Sequence, residues 1–252
     1  MKTTTIVTEI RQTLKDCADE KARKSSDHFY KEGERALVYG VRMGEVGTIG
    51  KEFYKQIKDY PKQDIFEICE ELWKSKYLEE AVIACRFTEA LHKKYEPSDI
   101  KTFERWIKNY VNNWADCDTF CNHTVGTFVM MYPDYIQELK KWTKSSNRWA
   151  KRASAVSLII PARKGLFLKD ILEIADSLLL DDDHMVQKGY GWMLKAASMS
   201  ETFVKGNQET KDEHLKAVFN FVMKHKSVMP RTALRYAIEK MPQDLKAKAM
   251  KK

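Results

Sequence analysis

The stretch that decides the reading is Tyr110-Val111-Asn112-Asn113-Trp114-Ala115-Asp116-Cys117-Asp118-Thr119-Phe120-Cys121-Asn122-His123. Past Asn113 the pattern is helical. Residues four apart on a helix share a face, so the Trp114 indole and the Asp118 carboxylate project side by side. Asp116, two residues from Trp114, points elsewhere. An aromatic face beside an acid suits a short-lived positive charge, because the ring quadrupole and the carboxylate both attract cations. The same two residues also fit a structural role, a buried Trp with an Asp capping the helix start.

Working outward, helical periodicity continues almost everywhere. Ten Gly and six Pro are spread along 252 residues, and no β-branched run alternates cleanly with polar residues. The first helix is expected over residues 5–23, then a short segment opening with Ser25-Ser26-Asp27, and a second helix after the turn Tyr39-Gly40-Val41-Arg42-Met43-Gly44. Further helices follow over 64–73, 77–95, from 99 through Ile107, 114–131, 134–144, 148–160, 166–180, 183–198, 209–226 and 230–240, with breaks at Pro161 and Gly165. The chain is therefore read as all-α: a curved α-solenoid of tandem antiparallel helix pairs of the HEAT-like kind, roughly a dozen helices, forming one domain over 1–252. A weak internal echo agrees. Glu79-Glu80-Ala81, Arg148 to Ala153 and Gln187 to Trp192 each combine charged residues with small ones that allow close packing.

Composition limits the function. The chain has a mass of 29.5 kDa, a mean hydropathy of −0.54 and a pI near 9.0. With 43% hydrophobic and 32% charged residues it buries a core, and its longest apolar runs fall far short of the roughly 20 residues a bilayer span needs. No signal peptide opens it, so a cytoplasmic protein without a membrane partner is expected. The formal charge of +8, from 44 basic and 36 acidic residues, favours a polyanionic partner such as nucleic acid. Five cysteines do not suggest a disulfide framework. Cys117, Cys121 and His123 raise zinc, but no second ligand pair stands at a recognisable spacing, so they are read as buried thiols with no metal and no cofactor.

Five motifs occur together in one order: Tyr39-Gly40-Val41-Arg42-Met43, Asn113-Trp114 with Asp118, Ser146-Asn147-Arg148-Trp149-Ala150-Lys151-Arg152-Ala153, Lys188-Gly189-Tyr190-Gly191-Trp192, and Met229-Pro230-Arg231-Thr232-Ala233-Leu234-Arg235. In this they resemble the AlkD family of DNA alkylation-repair glycosylases, HEAT-like-repeat proteins that excise positively charged N3- and N7-alkylated purines. The resemblance runs from about residue 5 to 242. It departs at Gly44, where the family usually has proline.

The resemblance implies a monofunctional alkylpurine DNA glycosylase acting as a monomer on double-stranded DNA. Substrates would be lesions such as 3-methyladenine and 7-methylguanine, excised without base flipping. The catalytic aspartate falls on Asp118, and the tryptophans flanking the lesion's sugar fall on Trp114 and Trp192. A phosphate-binding arginine falls on Arg152, with Arg148 the near alternative and Lys151 on the same face. Tyr39 and Arg42 touch the DNA backbone or form a stack that pins their turn. Arg231 and Arg235 line the same surface or pair with Glu239, and His184 starts a helix on the surface. The alternative from another class is a non-catalytic repeat module binding damaged or branched DNA or a protein partner.

Overall fold

The computed structural model describes residues 2–26, 30, 36–199 and 208–251. It is all-α. Among the described residues the one extended contact is an isolated parallel bridge between Leu37 and Tyr77. The chain divides into two compact units, Met1–Thr124 and Val125–Lys252.

The first unit contains α1 (Lys2–Asp16), α2 (Glu20–Ser26), α3 (Met43–Ile57), α4 (Lys62–Lys74), α5 (Leu78–Ala90), α6 (Asp99–Asn109) and α7 (Trp114–Phe120). Its hub is α5, against which α3, α4 and α7 pack. α4 is amphipathic and α5 is buried around most of its circumference, and the three residues between them, Ser75 to Tyr77, leave no room for anything but an antiparallel pair. Phe120 of α7 packs against Trp73, Phe103 and Trp106, with ring centroids 5.6, 5.6 and 5.9 Å away. These rings are buried, so that face of α7 is fixed to the core.

The second unit holds α8 (Gly126–Met131), α9 (Ile136–Trp142), α10 (Arg148–Val156), α11 (Ile159–Arg163), α12 (Leu168–Ser177), α13 (His184–Ser198), α14 (Gln208–His225), α15 (Arg231–Ile238) and α16 (Gln243–Met250). Here α13 is the hub, packed by α10, α11, α12, α14 and α15. Its glycines set the spacing. A Cβ on Gly191 would stand 2.7 Å from Tyr236 Cβ and 2.8 Å from the Ala233 carbonyl oxygen, so only glycine lets α15 approach this closely.

The expected helices are found, with local corrections. The first splits at Cys17–Asp19, because the Asp19 N–H bonds the Gly40 carbonyl and its carboxylate caps α2 through the Ala22 N–H. The short segment expected to open with Ser25-Ser26-Asp27 begins instead inside α2, which runs to Ser26, and Asp27 lies outside the described residues. Residues 148–160 form α10 and the start of α11. Pro161 does not break the chain: it sits within the first turn of α11, where a missing N–H costs nothing. A last helix, α16, follows Pro242 beyond the expected end.

Candidate functional site

On α7 the sequence separates two aspartates onto two faces. Asn113, with extended backbone, caps the helix by accepting the Asp116 N–H at 3.0 Å, so the cap is an asparagine and not an aspartate. Asp116, Cys117 and Phe120 turn inward, while Trp114, Ala115, Asp118 and Thr119 form the half-exposed face. Trp114 and Asp118 therefore share a face, as their spacing requires.

Asp116 is 2% exposed, and its Oδ2 accepts the Asn113 side-chain amide at 2.5 Å. Burial pushes its carboxyl well above the usual carboxylate range; the Asn113 bond opposes this and the nearby Glu79 adds to it. The acid that faces outward is Asp118, whose backbone carbonyl accepts the Asn122 side-chain amide at 3.0 Å. Immediately beyond α7 the backbone makes a π-turn over Cys121–Val125, a rare distortion that re-aims the residues around it.

Trp114 lines a cavity of about 610 Å³ together with Tyr30, Arg42, Glu79, Val82 and Thr119. The Tyr30 and Trp114 ring centroids stand 5.9 Å apart. Desolvation, with Asp116 and Glu79 nearby, raises the Tyr30 hydroxyl and keeps it protonated. Tyr30 was not among the expected site residues. A lone tyrosine outside any periodic segment carries no signal that could have picked it out.

One wall of this cavity is the turn before α3, and two buried glutamates hold it. Glu79, 1% exposed, accepts the backbone N–H groups of Tyr39, Gly40 and Val41 at 3.1, 2.9 and 3.1 Å. Gly40 has φ +99°, and a Cβ there would lie 2.8 Å from both Arg23 Cβ and the Asp19 carbonyl, so the turn needs glycine. Glu80, fully buried, accepts Tyr39 Oη at 2.7 Å and Arg11 Nε at 3.0 Å. Tyr39 also stacks on Tyr77 at 4.1 Å. Tyr39 thus pins its turn through Glu80 and Tyr77, not through a stack on Arg42, while Arg42 is exposed at the cavity. Sequence reading gave Glu79 and Glu80 only a place in a weak internal echo of charged and small residues.

In the second unit, α10 and α13 carry the remaining expected residues. Asn147 caps α10 by accepting the Trp149 and Ala150 N–H groups at 2.8 and 3.1 Å, and Asp183 caps α13 through those of Met185 and Val186 at 2.7 and 3.3 Å. Arg148 lies over the Trp149 ring and pairs with Asp183, Nε to Oδ2 at 2.7 Å. Burial opposes ionisation of Asp183, but the Met185 N–H and the Arg148 guanidinium outweigh it and hold the carboxyl below its ordinary range. Lys151 pairs with Asp181 at 2.6 Å. Arg152 is 4% exposed; its guanidinium donates to the Met185 carbonyl, and Gly189 gives it room, a Cβ there standing 3.3 Å from Arg152 Cγ.

Trp192 is half-buried on α13. Glu239 pairs with Lys195 at 2.9 Å, so it is not held by Arg235. His184 opens α13 as expected but is half-buried. Among the described residues, no three His, Cys, Asp or Glu side chains converge to hold a metal ion. Cys117 and Cys121 are buried and in no disulfide among the described residues, and His123 pairs with Glu89 at 3.3 Å. No described helix is long and apolar enough to cross a membrane.

Comparison with known proteins places this geometry. The fold is similar to the solved structure of a predicted DNA alkylation repair enzyme from Enterococcus faecalis, with a TM-score of 0.71 at 14% identity, covering 90% of this chain and 97% of that one. No curated protein matches the chain. The family model for DNA alkylation repair enzymes matches residues 10–241, nearly the whole sequence. The chain belongs to the DNA alkylation repair enzyme family.

Proposed function

We propose that this protein is a monofunctional DNA glycosylase that hydrolyses the N-glycosidic bond of cationic N3- and N7-alkylpurines in duplex DNA. The observation that carries the reading is the outward face of α7: Asp118 shares it with the cavity-lining Trp114, while the neighbouring Asp116 is buried.

The chemistry follows from the lesion's charge. Alkylation at N3 or N7 makes the purine a cation and a good leaving group, so the protein need not protonate the base. The C1′–N9 bond breaks, its electron pair neutralises the purine, and positive charge develops on the sugar. Ionised Asp118 attracts that oxocarbenium-like centre and accepts a hydrogen bond from water as the water adds to C1′. The water's proton passes toward the carboxylate and solvent. Trp114 packs on the deoxyribose, worth about 0.5–2 kcal/mol as charge develops. Trp192 is proposed for a like role on the resemblance alone. With a carboxylate and no lysine nucleophile, no Schiff base forms and the strand stays intact.

On this reading no base flipping is needed, since selectivity comes from the lesion's own lability. The cavity of about 610 Å³ beside Trp114 supports tolerance of bulky adducts. Arg42 and Tyr39 on the turn, and Arg148 and Lys151 on α10, are the proposed contacts with DNA, while the buried Arg152 braces α10 against α13 through the Met185 carbonyl. The whole chain acts as one domain and as a monomer beside chromosomal DNA in the cytoplasm.

The test is incubation with a duplex carrying one 7-methylguanine, following free base by chromatography and strand integrity by gel. Release of the base from an uncut strand is expected. Salt-sensitive binding with no release would make the protein a non-catalytic DNA-binding module instead. A bulky N7 adduct should be released as well, and its strict exclusion would remove the tolerance argued from the cavity.

A further inference from the structure

Arg86 is exposed on α5, one turn beyond Val82 of the cavity wall. Its side chain is laid across α3. A Cβ on Gly47 would stand 2.9 Å from Arg86 Nη2 and 3.2 Å from Cζ, and one on Gly50 would stand 3.4 Å from Cδ. Gly47 therefore leaves the space that the guanidinium occupies. Among the described residues Arg86 makes no hydrogen bond or ion pair. The acid one turn along α5, Glu89, is taken by His123, and that hydrogen bond, opposed by desolvation, raises the His123 pKa. The His123 hydrogen bond and, after it, the Arg86 charge help to hold the Glu89 carboxyl below its ordinary range, but the Arg86 guanidinium donates no hydrogen bond to it. A planar guanidinium laid against a helix in this way keeps its fork of donors for an external anion, and phosphate matches that fork. Two more exposed cations, Lys21 and Arg42, whose side chains make no hydrogen bond or ion pair among the described residues, line the cavity that Val82 shares with Trp114.

We propose that Arg86 is a phosphate contact, given its position by Gly47, that grips the DNA backbone on the face of the first unit leading out of the Trp114 cavity. Taking the polyanion to be duplex DNA rests on the function proposed above. The number of phosphates neutralised is readable from salt dependence, because each releases condensed counterions.

Duplex affinity should be measured across a salt series for wild type, Arg86→Gln, Arg86→Lys and Gly47→Ala, with thermal midpoints and base release alongside. Arg86→Gln should reduce the slope of log affinity against log salt by about 0.9, the value for one phosphate on B-form DNA. Arg86→Lys should keep the slope. Gly47→Ala displaces the guanidinium but favours helix, so it should weaken binding with its midpoint unchanged or raised. An unchanged slope in Arg86→Gln would overturn the inference, as would a Gly47→Ala chain with a lowered midpoint and full affinity, because Arg86 would then only cover α3. Loss of slope without base release by wild type would keep the phosphate contact and remove the glycosylase. Base release with no change in slope would do the reverse.

Discussion

The surfaces around Trp114 and Trp192 use charge in opposite ways. In the first unit the buried carboxylates of Glu79 and Glu80 are committed to backbone, a tyrosine and Arg11, and among the described residues the side chains of Lys21, Arg42 and Arg86 make no hydrogen bond or ion pair. In the second unit four cations are met by acids: Arg148 by Asp183, Lys151 by Asp181, Lys140 by Asp170 and Glu173, and Lys195 by Glu239. A polyanion approaching these four must compete with carboxylates already in place, and one approaching Lys21, Arg42 or Arg86 displaces no ion pair among the described residues. Net charge therefore does not tell where a basic protein is attractive; the fate of its acids does.

The largest effect that would break this comparison comes from Glu79. Glu79→Ala leaves three backbone N–H groups without an acceptor in a buried turn, at a cost of about 3 kcal/mol or more. It should also lower base release, because the turn walls the Trp114 cavity. Chemical denaturation checks the first effect, and a loss under 1 kcal/mol would show that the turn does not depend on this carboxylate. In the second unit the corresponding stress is on packing. Gly191→Ala forces a methyl against Tyr236 and the Ala233 carbonyl, and overpacking of this kind costs about 1–3 kcal/mol even after the helix-propensity gain of about 1 kcal/mol. A lowered midpoint is expected, and an unchanged one would mean that α15 can move away freely.

The smallest effect sharpens the assignment on α7. The pKa of Asp116 is raised in the folded state, so the folded chain holds that proton more tightly than the unfolded one. Its stability is complete below the unfolded value of about 3.9 and is lost as pH rises through the folded value. Asp116→Asn cannot ionise, so its midpoint should exceed wild type at pH 8 and converge with it near pH 4. Parallel melting curves of the two proteins across that range would contradict a buried neutral Asp116.

The helices were legible because their apolar spacing is local, and the shared face of Trp114 and Asp118 is a consequence of helix geometry alone. What stayed hidden depends on residues far apart in the chain. Nothing near Cys17 announces a helix break; the Gly40 carbonyl that receives the Asp19 N–H makes it. The role of Glu79 and Glu80 left no local sign, because their partners Tyr39 and the turn after it lie about 40 residues upstream. Arg152 read as a surface phosphate clamp, yet Gly189 on another helix admits it into the core, where its guanidinium meets the Met185 carbonyl. Tyr30 became visible only when its ring was found 5.9 Å from Trp114.

The account turns on which aspartate of α7 does the chemistry, and one experiment addresses it directly. Release of 7-methylguanine from duplex DNA should be measured under single-turnover conditions for wild type, Asp118→Asn and Asp116→Asn, with duplex affinity determined in parallel. The expected result is a fall of about 10²–10⁴-fold for Asp118→Asn at unchanged affinity, the range for loss of a positioned catalytic acid–base group, with Asp116→Asn close to wild type. Release that survives Asp118→Asn, or that disappears only with Asp116→Asn, would contradict the account.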